Sequence, residues 1–213
     1  MAKKTQYENE QRGYRYSNGE IVYFNPVANT KCTVSDYSTS NSATEFKGND
    51  CMRWFAYLDS AGSTTVKLLL DHNTTATKAW YSSNTYKTLV DSNIYPDLVA
   101  LVKTSGWQVK PWLIDAQDVA TITGISWTST GSSVSFQNGS TYWWLYDRLN
   151  GCRGYGCHTN DSTSYMYGYW TSTNVGTGFS VWHVYHQARL YYDYATDTCL
   201  GVRPVVEVAK ANL

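Results

Sequence analysis

The C-terminal segment from Trp182 onward constrains the fold most, because apolar residues recur in it at the spacing of β-strands. This apolar frame consists of Trp182, Val184, Leu190, Gly201, Val202, Pro204 and Val206. Successive side chains of a strand point to opposite faces of a sheet, so a frame of this kind predicts strands with one face in the core. The other face is then free to carry different chemistry.

The positions between the frame residues carry side chains of unusually versatile chemistry. They are His183, Tyr185, His186, Gln187, Arg189, Tyr191, Tyr192, Asp193, Tyr194, Thr196, Asp197, Thr198 and Cys199. A catalytic site needs a few residue types at fixed geometry. By contrast, Tyr offers a large, rigid contact area, and His, Asp, Arg and Thr add hydrogen bonds, as in antibody paratopes. We therefore interpret these positions as a candidate ligand-binding surface.

An ordinary half-exposed antiparallel strand would also alternate Tyr with polar residues. Two features favour an exposed segment instead. Tyr191 and Tyr192 are adjacent and Tyr194 follows, so aromatic rings would occupy both faces of a strand. Between Tyr191 and Thr198 the only aliphatic residue is Ala195. This stretch is predicted to be an exposed loop or short hairpin, and exposed aromatic clusters usually mark interaction sites.

Length and charge limit the class of protein. The 213 residues suit one domain, placed at 15–213 after an N-terminal extension of residues 1–14. Lys plus Arg and Asp plus Glu number 17 each, so the electrostatic attraction that dominates nucleic-acid binding is missing. No apolar run reaches the roughly 18 residues of a membrane span, and the start, Met1-Ala2-Lys3-Lys4, has no apolar signal region. We expect no nucleic-acid partner and no membrane insertion, and the final location stays open.

The five cysteines do not define a disulfide framework. They are Cys32, Cys51, Cys152, Cys157 and Cys199. Their number is odd, and free thiols are the expectation for a chain without a signal peptide. Cys152 with Cys157, and Cys32 with Cys51, could each pair across a loop.

The order of predicted elements indicates an α+β fold. Hairpins are predicted at residues 14–27, around Ser17-Asn18-Gly19, and at 54–71, around a turn at 59–62, with a polar loop at 28–50. Apolar spacing predicts a helix over 89–106, and the Asp115 and Gly124 caps predict a second over 116–123. An aromatic element at 142–146 precedes strand signals at 165–172, 179–190 and 201–208. Strands followed by helices and then by strands favour α+β over alternating α/β.

Several of these strings together resemble C-type-lectin-fold domains that end in a Gly-Val-Arg-Pro-Val strand. The strings are residues 68–75, 113–124 and 152–157, Gly168-Tyr169-Trp170-Thr171-Ser172-Thr173, and Gly201-Val202-Arg203-Pro204-Val205-Val206. Such domains are related in fold to the formylglycine-generating enzyme, and they include the variable proteins of diversity-generating retroelements in bacteria, phages and archaeal viruses. The resemblance covers roughly residues 15–208.

This resemblance implies a C-type-lectin-like fold with two helices, a mainly antiparallel sheet and a variable region at about 165–200. In such systems adenines of a template are miscopied, so an Asn codon can become many others. An Asn codon altered at its adenines can encode every versatile residue named above except Gln187. Lys and Glu are absent between Trp170 and Val206. The implied scaffold is Trp170, Trp182, Val184, Leu190, Gly201, Arg203 and Pro204, with Arg203 tying the last strand to neighbouring carbonyl or carboxylate groups. The ligand is expected to be a protein or glycan on a cell surface.

The sequence gives weaker support to an interpretation as an enzyme or as a metal protein. Cys199 with His183 and His186 has no catalytic spacing signature, and Cys152 and Cys157 beside His158 do not have the usual spacing of a zinc knuckle. The acidic and amide triplets of calcium-dependent lectins are missing. We therefore expect no enzyme activity, no cofactor and no metal, and leave the oligomeric state open. A lectin-like module with one fixed ligand is the alternative, and a formylglycine-generating type of cysteine enzyme is the third.

Overall fold

In the part of the chain that the structure describes, two β-sheets and two short helices form the architecture. The computed structural model describes residues 13–35, 51–71, 73, 80, 106–146, 168–176, 179–197 and 200–213. The strands are β1 (Ile21–Asn25), β2 (Thr30–Lys31), β3 (Met52–Tyr57), β4 (Thr65–Leu70), β5 (Trp112–Leu113), β6 (Val134–Ser135), β7 (Gly168–Asn174), β8 (Ser180–Tyr185), β9 (Arg189–Tyr194), β10 (Leu200–Gly201) and β11 (Pro204–Ala209). The α-helices are α1 (Ala116–Thr123) and α2 (Trp143–Tyr146), and 3₁₀ turns span Gly139–Tyr142 and Lys210–Asn212.

The strands divide into a six-stranded and a five-stranded sheet. The first has the order β2-β1-β3-β4-β11-β5 and is antiparallel throughout. The second has the order β10-β7-β8-β9-β6, and only its β10–β7 pair is parallel. The predicted α+β class with mainly antiparallel pairing is confirmed.

Two elements whose signals are local match the prediction closely. Helix α1 covers Ala116–Thr123 as predicted; the Asp115 side chain accepts a hydrogen bond from the Gln117 N–H, and Gly124 ends the helix in the left-handed conformation. Strands β3 and β4 form the predicted second hairpin, with Tyr57 opposite Lys67. The helix predicted over 89–106 lies outside the described residues except for Gly106.

The hairpin predicted around Ser17-Asn18-Gly19 is wrong. A turn is present there, but residues 14–17 are not a strand. The chain instead bonds to distant partners, because the Gly19 N–H donates to the Ala56 carbonyl and the Ala56 N–H donates to the Glu20 carbonyl. Strand β1 therefore pairs with β3, and on its other side with β2, which lies in the predicted polar loop.

The C-terminal strands also differ from their predicted limits. The strand predicted over 179–190 is broken by a turn at His186–Ala188, and the stretch after it is strand β9 rather than a loop. Strands β8 and β9 are adjacent and antiparallel. The predicted alternative of a short hairpin is thus the closer one, although the hairpin begins earlier in the chain than expected.

The main core lies between the two sheets. Phe55, Leu69 and Val205 of the six-stranded sheet belong to the same buried cluster as Tyr169 and Trp182 of the five-stranded sheet. Helix α1 and helix α2 also contribute side chains to this cluster. The opposite face of the six-stranded sheet buries a second cluster. Strands β8 and β9 therefore pack on the largest buried apolar cluster of the described chain.

The side chain of Arg203 is fully buried just before β11. Its guanidinium donates hydrogen bonds to the backbone carbonyls of Leu70, Leu145 and Trp144. It also lies 5.1 Å from the centre of the Tyr169 ring. The predicted tie to neighbouring carbonyls is therefore present, and it links β4 and α2 to the start of β11.

Cys32 and Cys51 form a disulfide that joins the end of β2 to the start of β3. The expectation of free thiols is therefore wrong for this pair. The possible pairing of Cys32 with Cys51 is present. Cys152, Cys157 and Cys199 lie outside the described residues.

We expect Arg203→Met to lower the free energy of unfolding by at least about 3 kcal/mol, because three buried carbonyls lose their donors at a cost of about 1–3 kcal/mol each. Urea unfolding followed by Trp fluorescence measures the change. Arg15→Met is the control: Arg15 is exposed and bonds one carbonyl, so its loss should stay within about 1 kcal/mol. Equal effects in the two variants would contradict a structural role for the buried guanidinium.

Candidate ligand-binding hairpin

The candidate site is the C-terminal hairpin, which we define as β8, β9 and the turn between them, residues 180–194. Its register places Trp182 opposite Tyr192, His183 opposite Tyr191 and Val184 opposite Leu190. Residues opposite one another in an antiparallel pair share a face, and alternate residues take opposite faces. Even-numbered residues therefore form the inner face, toward the main core, and odd-numbered residues form the outer face.

The inner face anchors the hairpin through Trp182, Val184 and Leu190, all 0% exposed. The Trp182 ring meets Trp127 edge-on at 5.4 Å, and its Nε1–H donates to the Ser129 carbonyl. These contacts hold the indole in one orientation. Trp127 was not found by the sequence analysis, since it follows α1 without any apolar spacing that would mark it.

The other predicted scaffold residues are buried as well. They are Trp170, Gly201, Arg203 and Pro204. Trp170 lies on β7 beside the hairpin, opposite His183. Gly201 belongs to β10, which also pairs with β7, and Pro204 begins β11. The frame therefore extends across β7 and β10, beside the hairpin, and continues into β11 of the six-stranded sheet.

The outer face is a continuous cluster of aromatic rings around one imidazole. His183 lies 5.7 Å from Tyr191, 5.9 Å from Tyr185 and 6.0 Å from Trp170, measured between ring centres. Tyr185 and Tyr191 lie 5.8 Å apart. Such ring pairs add stability beyond simple burial. The tyrosines of this face are thus held in place before any ligand arrives.

His183 was expected among the displayed side chains, but it is 0% exposed. A hydrogen bond of 3.1 Å joins its Nε2 to the Asp193 carboxylate. Gly168 of β7 packs closely against His183 and the backbone beside it. A Cβ at position 168 would lie 2.0 Å from the Val184 carbonyl oxygen and 3.2 Å from the imidazole Nδ1. His183 therefore supports the outer face from beneath instead of belonging to its exposed surface.

The remaining predicted ligand-binding residues differ in exposure. Tyr194 is 62% exposed, Tyr191 is 37% exposed, and Gln187 is exposed at the turn. The partly buried members are Tyr185, His186, Arg189, Tyr192, Asp193, Thr196 and Asp197. Thr198 and Cys199 lie outside the described residues.

Tyr192 differs from Tyr185 and Tyr191 in the face of the hairpin that it occupies. As an even-numbered residue it packs on the inner face, where its ring meets Trp182 edge-on at 5.1 Å. The adjacent tyrosines in this segment therefore serve different faces: Tyr192 belongs to the packing, while Tyr191 belongs to the outer surface. Aromatic rings therefore occupy both faces, as expected, but the segment is a strand and not a loop.

The turn of the hairpin carries a second group of contacts. The Arg189 guanidinium lies 5.7 Å from the centre of the Tyr185 ring, and His186 lies 4.3 Å from the same ring. A guanidinium over an aromatic face is a favourable arrangement for a partly exposed pair. Ala188 adopts a φ of 55°, in the left-handed region that a residue with a Cβ rarely occupies. The turn geometry is therefore imposed by the two strands that it joins.

Two carboxylates lie near each other at the end of β9, Asp193 within the strand and Asp197 just after it. Burial raises the pKa of the Asp197 carboxyl above its usual value, and the nearby Asp193 carboxylate raises it further. A hydrogen bond from the Tyr194 backbone and the proximity of His183 act in the opposite direction. This end of the hairpin is accordingly acidic, whereas the turn end carries Arg189.

We expect replacements on the two faces to have very different effects on stability. Trp182→Ala should lower the free energy of unfolding by about 3–5 kcal/mol, as a large-to-small change in a packed core. Tyr194→Ala should change it by less than about 0.5 kcal/mol, because the side chain is mostly in solvent. Chemical denaturation of the purified variants measures both. A loss of folding in Tyr194→Ala would mean that the exposed end of β9 is needed for the fold.

We expect Asp197→Asn to become more stable relative to the parent protein as the pH rises from 3 to 7. A carboxyl whose pKa is raised by folding contributes stability that is fully present below its unfolded pKa and is lost as the pH rises through its folded pKa. The usual value is 3.8 and the folded value is higher, so the loss falls just above pH 3.8. Urea unfolding at pH 3, 5 and 7 gives the difference. A pH-independent difference between the two proteins would contradict the raised pKa.

Within the described part of the chain, no group of three or more His, Cys, Asp or Glu residues is placed to hold a metal ion. Over the same residues, no helix is long and apolar enough to span a membrane. No family model, no curated protein and no solved structure matches the chain. Its function must therefore be inferred from its own side chains.

Proposed function

We propose that the protein binds ligands through the C-terminal hairpin, as the variable protein of a diversity-generating retroelement with a C-type-lectin-like domain. One observation carries the proposal. Trp182, Val184 and Leu190 are 0% exposed, whereas Tyr191 and Tyr194 of the same hairpin are 37% and 62% exposed. Stability and contact chemistry are thus carried by different residues of one rigid element.

This division suits a surface that changes its side chains. The core contacts of the inner face do not involve the exposed side chains at 187, 191 and 194, so replacing those side chains leaves the packing intact. Sites built on strands also hold their geometry better than sites built on loops. A hairpin of this kind supports many different surfaces on one backbone.

The residue types on the outer face support the same proposal. Tyr185 and Tyr191 of this face, together with the exposed Tyr194 at the end of β9, provide rigid aromatic area, and interfaces derive most of their affinity from a few such anchors. Asp193 and Arg189 place opposite charges at the two ends. The outer face therefore provides anchors and orienting charges for a protein or glycan on a cell surface, and such binding needs neither a cofactor nor a catalytic group.

We expect sequences of this gene from a population to differ mainly at codons 185–199, and to keep codons 182, 184, 190 and 201–206 constant. Codon 183 should vary little, because the His183 side chain is buried against Trp170 and bonded to Asp193. A nearby near-copy of the segment should differ from it mainly where the copy carries adenine. Sequencing the three-prime end of the gene with its flanking DNA measures both.

Codons that are the same in all individuals, with no near-copy of the segment in the flanking DNA, would contradict diversification. That outcome would favour a lectin-like module with one fixed ligand, since the exposed tyrosines would remain in place. Variation spread evenly over codons 21–113 and 182–206 would contradict both readings, because it would give the hairpin no special status. Synonymous codon differences between individuals provide the control for ordinary drift.

A further inference from the structure

Among the residues that the structure describes, strand β6 covers the backbone edge of β9 along only part of its length. Strand β6 pairs with β9 at Leu190 and Arg189 and begins at Val134, and the chain before it forms a turn at Thr128–Gly131. No described strand lies beside Tyr191–Tyr194 on this side. An uncovered strand edge presents main-chain donors and acceptors to any extended chain that meets it.

Two hydrogen bonds define which residues of β9 face this edge. The Ala195 N–H donates to the Phe179 carbonyl, so odd-numbered residues direct their backbone groups toward β8. On the other side, the Phe136 N–H donates to the Ala188 carbonyl, so even-numbered residues direct theirs toward β6. Backbone groups alternate along an antiparallel strand. The N–H and C=O of Tyr192 therefore point to the uncovered edge.

The charge beside this edge is negative. Asp197 lies beside Tyr194, the next residue whose backbone faces this edge, because the Asp197 N–H donates to the Tyr194 carbonyl. The Asp193 carboxylate lies near that of Asp197. Apart from His183, no cationic side chain of the described chain forms an ion pair with these two carboxylates. An extended segment bound at this edge would accordingly contact the N–H and C=O of Tyr192, and the Asp197 carboxylate would lie further along the same edge. The exposed rings of Tyr191 and Tyr194 flank it on either side.

We propose that the β9 edge at Tyr192 receives an extended segment of a partner polypeptide, which adds a strand where β6 ends and places a Lys or Arg against Asp197. The inference rests on the proposed function and narrows its ligand from protein or glycan to protein. Strand addition gives affinity through the main chain, whereas the side chains on either side of it give selectivity. The main-chain contact at Tyr192 would thus be common to all variants, while the surrounding tyrosines change.

The test uses the full chain, a phage-displayed library of random dodecapeptides and a panel of purified oligosaccharides. We expect the library to yield binding peptides rich in Lys or Arg. N-methylation of a selected peptide, one residue at a time, should weaken binding most at the one residue whose N–H donates to the Tyr192 carbonyl, because the N–H groups of its two neighbours point away from β9. This measurement does not depend on any protein variant.

Tyr192→Pro and Tyr192→Ala form the matched pair of variants. Both remove the ring, but only Pro removes the outward N–H, and Pro is tolerated on an edge strand whose N–H faces solvent. We expect Tyr192→Pro to bind the selected peptides about tenfold more weakly than Tyr192→Ala, as expected for one lost hydrogen bond. Asp197→Asn should weaken binding several-fold at low salt and have less effect at 1 M salt.

Three outcomes would overturn the inference. Equal affinity of the Pro and Ala variants, both folded, with a uniform N-methyl scan, would mean that only side chains make contact. Binding of oligosaccharides without any selected peptide would make the ligand a glycan. In both cases the proposed function would stand if Tyr191→Ala abolished binding. Failure of every peptide and oligosaccharide to bind would overturn the inference, and the codon pattern would then decide the proposed function separately.

Discussion

The guanidinium of Arg203 is the interaction on which the rest of the structure depends. It supplies donors to carbonyls at the end of β4 and in α2, elements that are distant in sequence, and it does so from a site without exposure to solvent. A buried charge is tolerable only when its hydrogen-bonding capacity is used. Because this residue lies between β10 and β11, it fixes where the chain passes from the five-stranded sheet to the six-stranded sheet. The C-terminal hairpin belongs to the same five-stranded sheet, with β7 between it and β10.

The hairpin itself separates support from contact by the alternation of its residues. The inner face is packed by indole and aliphatic side chains, while the outer face is built from rings that pack on one another around a buried imidazole. Even the outer face is therefore partly preorganised, because His183 and Trp170 restrict Tyr185 and Tyr191. Preorganisation reduces the entropy that binding must overcome. A surface of this kind differs from a flexible loop that orders only with its ligand.

Local signals explain which elements could be predicted from the sequence. Helix α1 was predicted to the residue, since Asp115 and Gly124 act within a few residues of the helix they cap. The turn at Asn18-Gly19 gave an equally strong local signal, but the hydrogen bonds between residues 19–20 and Ala56 decide the pairing, and these cannot be inferred from a turn sequence. The burial of His183 depends likewise on the register of β7 against β8. The Cys32–Cys51 disulfide was a possibility that spacing alone could not decide against the expectation of free thiols.

The register of the hairpin has a consequence for how such a protein can evolve. Each of its paired residues is assigned to a face by parity alone, and Ala188 already holds the turn in a left-handed conformation. Insertion or deletion of one residue would exchange the two faces beyond that point, moving Tyr and Asp into the core and Leu190 into solvent. Replacement of single residues has no such effect. Descendants of this chain can therefore differ widely in the composition of the hairpin, while its length has to stay constant.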